Sequence, residues 1–268
     1  MIVIMRSIIC FFFVLNLCQA QIKISSWNLK NFGKSKTLSE IEFIAETLKH
    51  VDIIAIQEVV AGSGGAQAVA QLAAELNRKG NSWDYVVSAP TKSAPYKSER
   101  YAYLWKTNQV KIVARPFLDI HFTDLIEREP YLIQFQYKKN AFTLINFHAI
   151  PKRQQPEREI KFLKHFPEKY ESTHLIFLGD FNCPESHSVF NPLKKMGYLP
   201  AFTNQKTSLR QKCIANDCLA SEYDNFLLHP KYIKLIRSEV IHFYQSFENM
   251  TQARLLSDHI PLIIEIDF

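Results

Sequence analysis

A chain of 268 residues with 47 % hydrophobic and 13 % aromatic content can bury one sizeable core, which argues against a disordered or repetitive protein. Its 32 basic and 26 acidic residues give a formal net charge of +6, a modest excess that suits a polyanionic partner and equally suits plain solubility.

The first twenty residues read as a secretory leader. Arg6 supplies a positive charge, Ser7 to Leu17 is nearly all apolar, and Cys18-Gln19-Ala20 ends in small residues before Gln21. The apolar run is short for a membrane span. Residues 1–20 are therefore expected to be removed as a signal peptide, leaving 21–268 as a single domain, secreted or periplasmic. Cys10 and Cys18 leave with the leader. Cys183, Cys213 and Cys218 then permit one disulfide and one free thiol, with three pairings open and no zinc-site spacing among them.

Ile22 to Trp27 predicts a strand that runs into a polar turn, Asn28 to Gly33. Thr37 and Glu40 form a capping-box pattern for a helix with Leu38, Ile41, Ile44, Ala45 and Leu48 on its apolar face. Asp52 to Ile56 is a buried strand ending in Gln57-Glu58, and Gly62 to Gly65 is a loop before a helix over Ala66 to Lys79. Strands follow at Asp84 to Ser88, Tyr101 to Lys106 and Val110 to Arg115, with Pro90 to Arg100 as a basic loop. Tyr131 to Tyr137 and Ala141 to Phe147 make a hairpin that delivers His148. A helix is expected over Pro156 to Phe166, a strand over Leu175 to Leu178, and a short helix over Ser188 to Met196. Strands at Tyr223 to Leu228, Glu239 to Tyr244 and Ile260 to Ile266 complete the chain. This pattern predicts an α/β protein with two packed sheets and helices outside.

Polar residues gather at the strand ends. Leu175 to Pro184 places Asp180 and Asn182 on one face and Phe181 on the other, because side chains alternate along an extended chain. Asn28, Glu58, Glu99, His148, Asp224, Asp258 and His259 occupy comparable positions. Oxygen ligands suit magnesium or manganese, and imidazoles move protons near neutral pH, so the set fits phosphodiester hydrolysis.

Trp27-Asn28-Leu29, Ile56-Gln57-Glu58, Ser98-Glu99-Arg100-Tyr101, Phe147-His148, Gly179-Asp180-Phe181-Asn182, Tyr223-Asp224 and Ser257-Asp258-His259 occur in an order that resembles the endonuclease/exonuclease/phosphatase superfamily. Glu99-Arg100-Tyr101 and Arg128-Glu129-Pro130 are most similar to its secreted deoxyribonuclease I branch. The resemblance implies a four-layer sandwich of two mixed sheets flanked by helices. It implies Glu58, Asn28 and Asp258 as metal ligands, His148 with Glu99 and His259 with Asp224 as the general acid and base, and Asp180 and Asn182 orienting water, phosphate or a second metal. Lys30, Tyr96, Arg128 and Tyr223 are the implied DNA contacts. Magnesium is the implied cofactor, manganese an alternative and calcium a structural ion. The implied activity is DNA cleavage with little sequence preference to 5′-phosphate products, by a monomer with no protein partner legible. Two departures stand out: Val60 occupies a place where the family commonly has arginine, and the Tyr96 loop is one residue longer. The rivals are a sphingomyelinase-like lipid hydrolase with the same machinery and a catalytically silent binding module.

Overall fold

The computed structural model describes residues 21–94, 97–170 and 174–268, so the expected leader and Tyr96 lie outside the described residues. β1 (Ile22–Phe32) runs further than its expected end at Trp27. A register shift between Asn28 and Phe32 and a left-handed Asn31 (φ 50°) bend the strand, which absorbs the expected turn.

α1 (Leu38–Leu48) begins on the expected capping box, with the Glu40 amide donating to Thr37 Oγ1 at 3.2 Å and the Thr37 amide to Glu40 Oε2 at 2.7 Å. Ile41, Ile44, Ala45 and Leu48 are buried, whereas Leu38, placed on that face from the sequence, is 69 % exposed. After β2 (Ile53–Val60), α2 (Ser63–Arg78) starts three residues before its expected beginning at Ala66. The expected glycine loop belongs to the helix because close packing demands it: a Cβ on Gly65 would collide with the Val60 carbonyl.

β3 (Trp83–Val87), β4 (Glu99–Lys106), β5 (Val110–Leu118), β6 (Tyr131–Tyr137) and β7 (Asn140–His148) follow closely as expected, although Glu99 and Arg100 open β4 rather than close the preceding loop. The helix expected over Pro156 to Phe166 is broken into α3 (Glu157–Ile160), a 3₁₀ turn and α4 (Phe166–Lys169). The break falls after Ile160, and Pro167 sits in the first turn of α4, where its missing amide is tolerated. β8 (Leu175–Asp180), α5 (Asn191–Lys195), β9 (Leu199–Pro200), β10 (Leu209–Ile214), β11 (Asp217–Leu219) and β12 (Asp224–Leu228) come next. The strand expected at Glu239 to Tyr244 lies earlier, as β13 (Lys234–Val240), and Phe243–Ser246 is instead a 3₁₀ turn. There Phe243 turns inward against Trp27, ring centroids 5.1 Å apart. α6 (Met250–Leu256), capped by Asn249, and β14 (Leu262–Asp267) end the chain.

Two mixed six-stranded sheets result, ordered β13-β14-β1-β2-β4-β3 and β5-β6-β7-β8-β12-β9. The pairs β1–β2 and β7–β8 are parallel, so each sheet sends two central strands to the same end. Alternation along β2 sends Ile53 and Ala55 between the sheets and Ile54 and Ile56 toward the helices. In β8, Ile176 and Leu178 pack between the sheets while Phe177 packs outside with Leu163 and Phe166. The layers are thus helix, sheet, sheet, helix, the expected four-layer sandwich. Cys213 pairs with Cys218, and Cys183 is a buried free thiol whose pKa burial pushes up to about 11.

Candidate active site

Asp180 is the hub. Gly179 (φ 128°) presses its α-carbon against the Phe147 carbonyl, where no Cβ fits, and brings β8 into register with β7 so that Asp180 lies opposite His148. Asp180 Oδ1 accepts the Asn182 amide at 2.8 Å, and Oδ2 accepts Asn28 Nδ2 at 3.1 Å. That same Oδ2 lies 3.5 Å from His148 Nε2 and 3.6 Å from His259 Nε2.

Each histidine is held from behind by a carboxylate. His148 Nδ1 is 2.9 and 3.0 Å from the two Glu99 oxygens, and His259 Nδ1 is 2.7 Å from Asp224 Oδ2. His148 ends β7 of one sheet and its Glu99 begins β4 of the other, whereas His259 precedes β14 and its Asp224 begins β12 opposite. Every imidazole therefore draws its carboxylate from across the sandwich. Burial and the Arg128 charge disfavour a protonated His148, yet Glu99 and Asp180 outweigh them and raise its pKa. Burial likewise opposes the His259 cation, but Asp224 and Asp180 lift its pKa well above the ordinary imidazole value. The His148 and His259 cations in turn hold Asp180 below the usual carboxylate range against the effect of burial.

Beside this pair lies an oxygen-rich corner. Asn28 Nδ2 also donates to Glu58 Oε1 at 3.1 Å, and the Asn31 amide donates to Glu58 Oε2 at 3.1 Å. Glu58 adopts φ 61°, a conformation rare outside glycine. Asn28 Oδ1 is buried without a hydrogen-bond partner. Asp258 Oδ2 is 3.2 Å from Arg254 and 3.7 Å from Lys30. An unsatisfied amide oxygen next to a carboxylate is a donor set that fits a hard divalent cation. Asp180, Asp224 and His259 also offer ligand atoms within 4.8 Å of one another, although Asp224 Oδ2 is already taken by His259 and by Thr207 Oγ1 at 2.6 Å.

The Endonuclease/Exonuclease/phosphatase family matches residues 25–259. This chain belongs to that family. A deoxyribonuclease of Thioalkalivibrio sp. (strain K90mix) is 24 % identical over 91 % of this chain and 71 % of its own length. Among solved structures, a mannosyl-6-phosphatase of Bacteroides thetaiotaomicron superposes with a TM-score of 0.67 at 18 % identity, covering 92 % of this chain and all of its own. D. rerio TDP2, complexed with a single-strand DNA product, gives 0.66 at 14 % identity over 93 % of this chain and all of its own. At such identities the structures speak for the fold alone.

Within this member of the family, the residues expected to touch DNA differ in placement. Lys30 is partly exposed beside Asp258, and Tyr223 lies over the His259 ring at 6.3 Å and 29°. Arg128 is turned inward: Nε donates to the His148 carbonyl at 3.0 Å, a terminal nitrogen donates to the Ala149 carbonyl, and the other is 3.6 Å from Glu99. Its guanidinium braces the His148–Glu99 pair. A cleft of about 530 Å³ opens there, lined by Asn31, Glu58, Lys97, Glu99, Arg128 and Arg153 among others. Val60, the expected departure from the resemblance, is among its lining residues.

Several supporting residues were not singled out from the sequence. Thr207 Oγ1 accepts the Tyr223 and Asp224 amides while donating to the Asp224 carboxylate. Buried Glu159 accepts the Glu127 and Ile150 amides and fixes the segments flanking Arg128 and His148. Gln57 Nε2 crosses between the sheets to Asn146 Oδ1 at 2.6 Å. Gln57 belongs to the Ile56-Gln57-Glu58 motif but had no role assigned there; Thr207 and Glu159 are ordinary residues in sequence, and their partners are remote along the chain.

Proposed function

We propose that this protein is a secreted, divalent-metal-dependent endonuclease that hydrolyses DNA phosphodiester bonds with little sequence preference and leaves 5′-phosphates. The observation that carries the reading is the pair of imidazole Nε2 atoms converging on one Asp180 oxygen, each backed through Nδ1 by a carboxylate. In-line displacement at phosphorus needs a base for the entering water and an acid for the leaving oxygen, and two histidines on opposite sides of one site can share those tasks. The histidine that is neutral takes the water proton at Nε2; the one that is protonated gives its proton to the leaving oxygen. Glu99 and Asp224 fix the tautomers by accepting at Nδ1, and Asp180 and Asn182 orient the water and the phosphate.

Glu58, Asn28 and Asp258 would hold the metal, which when bound offsets the phosphate charge. DNA as substrate draws support from the deoxyribonuclease relative and from the D. rerio neighbour complexed with single-strand DNA. The nearness of Lys30 to Asp258 and of Tyr223 to the His259 ring supports them as contacts to a backbone and a sugar, and such contacts position without reading sequence. Export rests on the leader pattern of residues 1–20.

The test uses residues 21–268 with supercoiled plasmid in magnesium, with and without calcium, with an EDTA control and Glu58→Ala alongside. Nicking followed by linearisation, abolished by EDTA and by the substitution, is the expected result. An intact plasmid from a folded protein that instead releases phosphate from a sugar phosphate, or phosphocholine from vesicles, would overturn it.

A further inference from the structure

β10 and β11 form a two-stranded hairpin that belongs to neither main sheet. An isolated hairpin of this length is marginal by itself. Here its outer end is stapled by Cys213–Cys218 around a turn of Ala215 and Asn216, both left-handed (φ 49° and 68°). Its root is tied to the catalytic segment. The Leu209 amide donates to the Asp258 carbonyl at 2.7 Å, the Ile260 amide to the Thr207 carbonyl at 2.8 Å, and Ser208 bridges His259. Arg254 reaches the Leu209 carbonyl and Asp258 together. A stiff arm thus projects from the residues that carry His259.

The arm is basic and wet. Positions 206 to 219 hold three basic residues, Lys206, Arg210 and Lys212, and one carboxylate, Asp217, which Lys206 and Arg210 share at 2.7 and 3.5 Å. Lys212 makes no ion pair among the described residues, and positions 211 to 216 are all exposed. Ile214, 63 % exposed, is the one large apolar side chain at the tip, too little for stable insertion into a bilayer. Two cations sharing one anion, with a third unpaired, fit a regularly spaced polyanion.

We propose that the stapled hairpin is a substrate-gripping arm that holds the phosphate backbone of a nucleic acid on the His259 side of the scissile bond. This rests on the nuclease reading and adds to it a binding surface outside the catalytic set. Its contacts are to phosphates, so it raises affinity uniformly across sequences.

The test measures binding of a short fluorescent duplex in EDTA, in parallel with turnover of bis(p-nitrophenyl) phosphate in magnesium. The variants are Lys212→Gln, Lys206→Gln/Lys212→Gln and Cys213→Ser/Cys218→Ser. Each lost phosphate contact should weaken duplex binding about threefold to fivefold at moderate salt and flatten the plot of log affinity against log salt by about 0.9. Turnover of the small diester should stay unchanged, and the cysteine variant should lose duplex affinity with the same small-substrate rate. Unaltered duplex affinity and salt slope in the double lysine variant would overturn the arm while leaving the nuclease reading intact. So would retained duplex binding with lost binding to phosphatidylserine-containing vesicles. A wild-type protein that turns over the small diester but neither binds nor cuts duplex fails both.

Discussion

Asn28 donates from Nδ2 to Asp180 Oδ2 at 3.1 Å across the sandwich, while its Oδ1 remains buried and unpartnered. One amide thus serves the Asp180 carboxylate with its nitrogen and leaves its oxygen without a partner, free for a cation. Magnesium should raise the melting temperature of the wild-type protein, because a ligand bound only by the folded state stabilises it by mass action. In Asn28→Ala that magnesium-induced shift should fall by at least about half under the same conditions. An undiminished shift would remove Asn28 from the metal site.

Under the proposed mechanism, replacing either imidazole removes one of two proton carriers. His148→Ala and His259→Ala should each lower turnover by about a hundredfold or more, the scale of lost acid–base catalysis. Steady-state rates on plasmid decide this, and near-wild-type rates in both variants would exclude the proposed pair.

Stability should depend on pH through His148. Its folded-state pKa is raised, so the folded state holds the proton where the unfolded chain has released it. The contribution is complete below about pH 6.5, the ordinary imidazole value, and is lost as pH climbs through the raised value. One retained proton corresponds to at most about 1.4 kcal/mol per pH unit. Urea unfolding between neutral and mildly alkaline pH in EDTA should show this decline, and Glu99→Gln should flatten it. An identical slope in both proteins would contradict the assignment.

Gly179→Ala is expected to be severe. At φ 128° an L side chain is strained, and its Cβ would press on the Phe147 carbonyl within the parallel β7–β8 pair. A loss of about 3 kcal/mol or more, or failure to fold, should appear in urea unfolding.

Lys36 is 8 % exposed and donates from Nζ to the Leu255 and Leu256 carbonyls, each at 2.6 Å, closing the end of α6. Burial lowers its pKa. Lys36→Met keeps the aliphatic stem but leaves two carbonyls unpaired, and should cost about 1–3 kcal/mol in urea unfolding. Because Ser257 to His259 follow directly, activity should fall with it.

Legibility followed the range of the forces involved. The Thr37–Glu40 cap and the β6–β7 hairpin were readable because their determinants are local. So were the strand termini carrying His148, Asp180 and Asp224, where an apolar run meets a polar residue, whereas β1 and β2 run on past Asn28 and Glu58. The helix expected across Pro156 to Phe166 is broken after Ile160 because the spacing of Ile160, Leu163 and Phe166 suits consecutive short turns as well as one continuous helix. α6 escaped notice because seven residues give too little period, and the strand before it was shifted because Phe243 answers to Trp27, far away in sequence. The β10–β11 hairpin was invisible for a related reason: its residues are polar, and what holds it is a disulfide whose pairing three cysteines left open. Arg128 was expected as a DNA contact, and its inward turn was not legible because it depends on the His148 and Ala149 carbonyls, remote along the chain.

The crossed pairing of the two histidines has a consequence for how activity can arise. With Glu99 and His259 on one slab and His148 and Asp224 on the other, neither half of the sandwich owns a complete proton relay. A slip between the slabs disables both relays at once, so intermediate activity levels should be scarce among destabilised forms. On the proposed reading, hydrolysis becomes a readout of the finished fold: a nascent or partly assembled chain stays inert until the last slab closes.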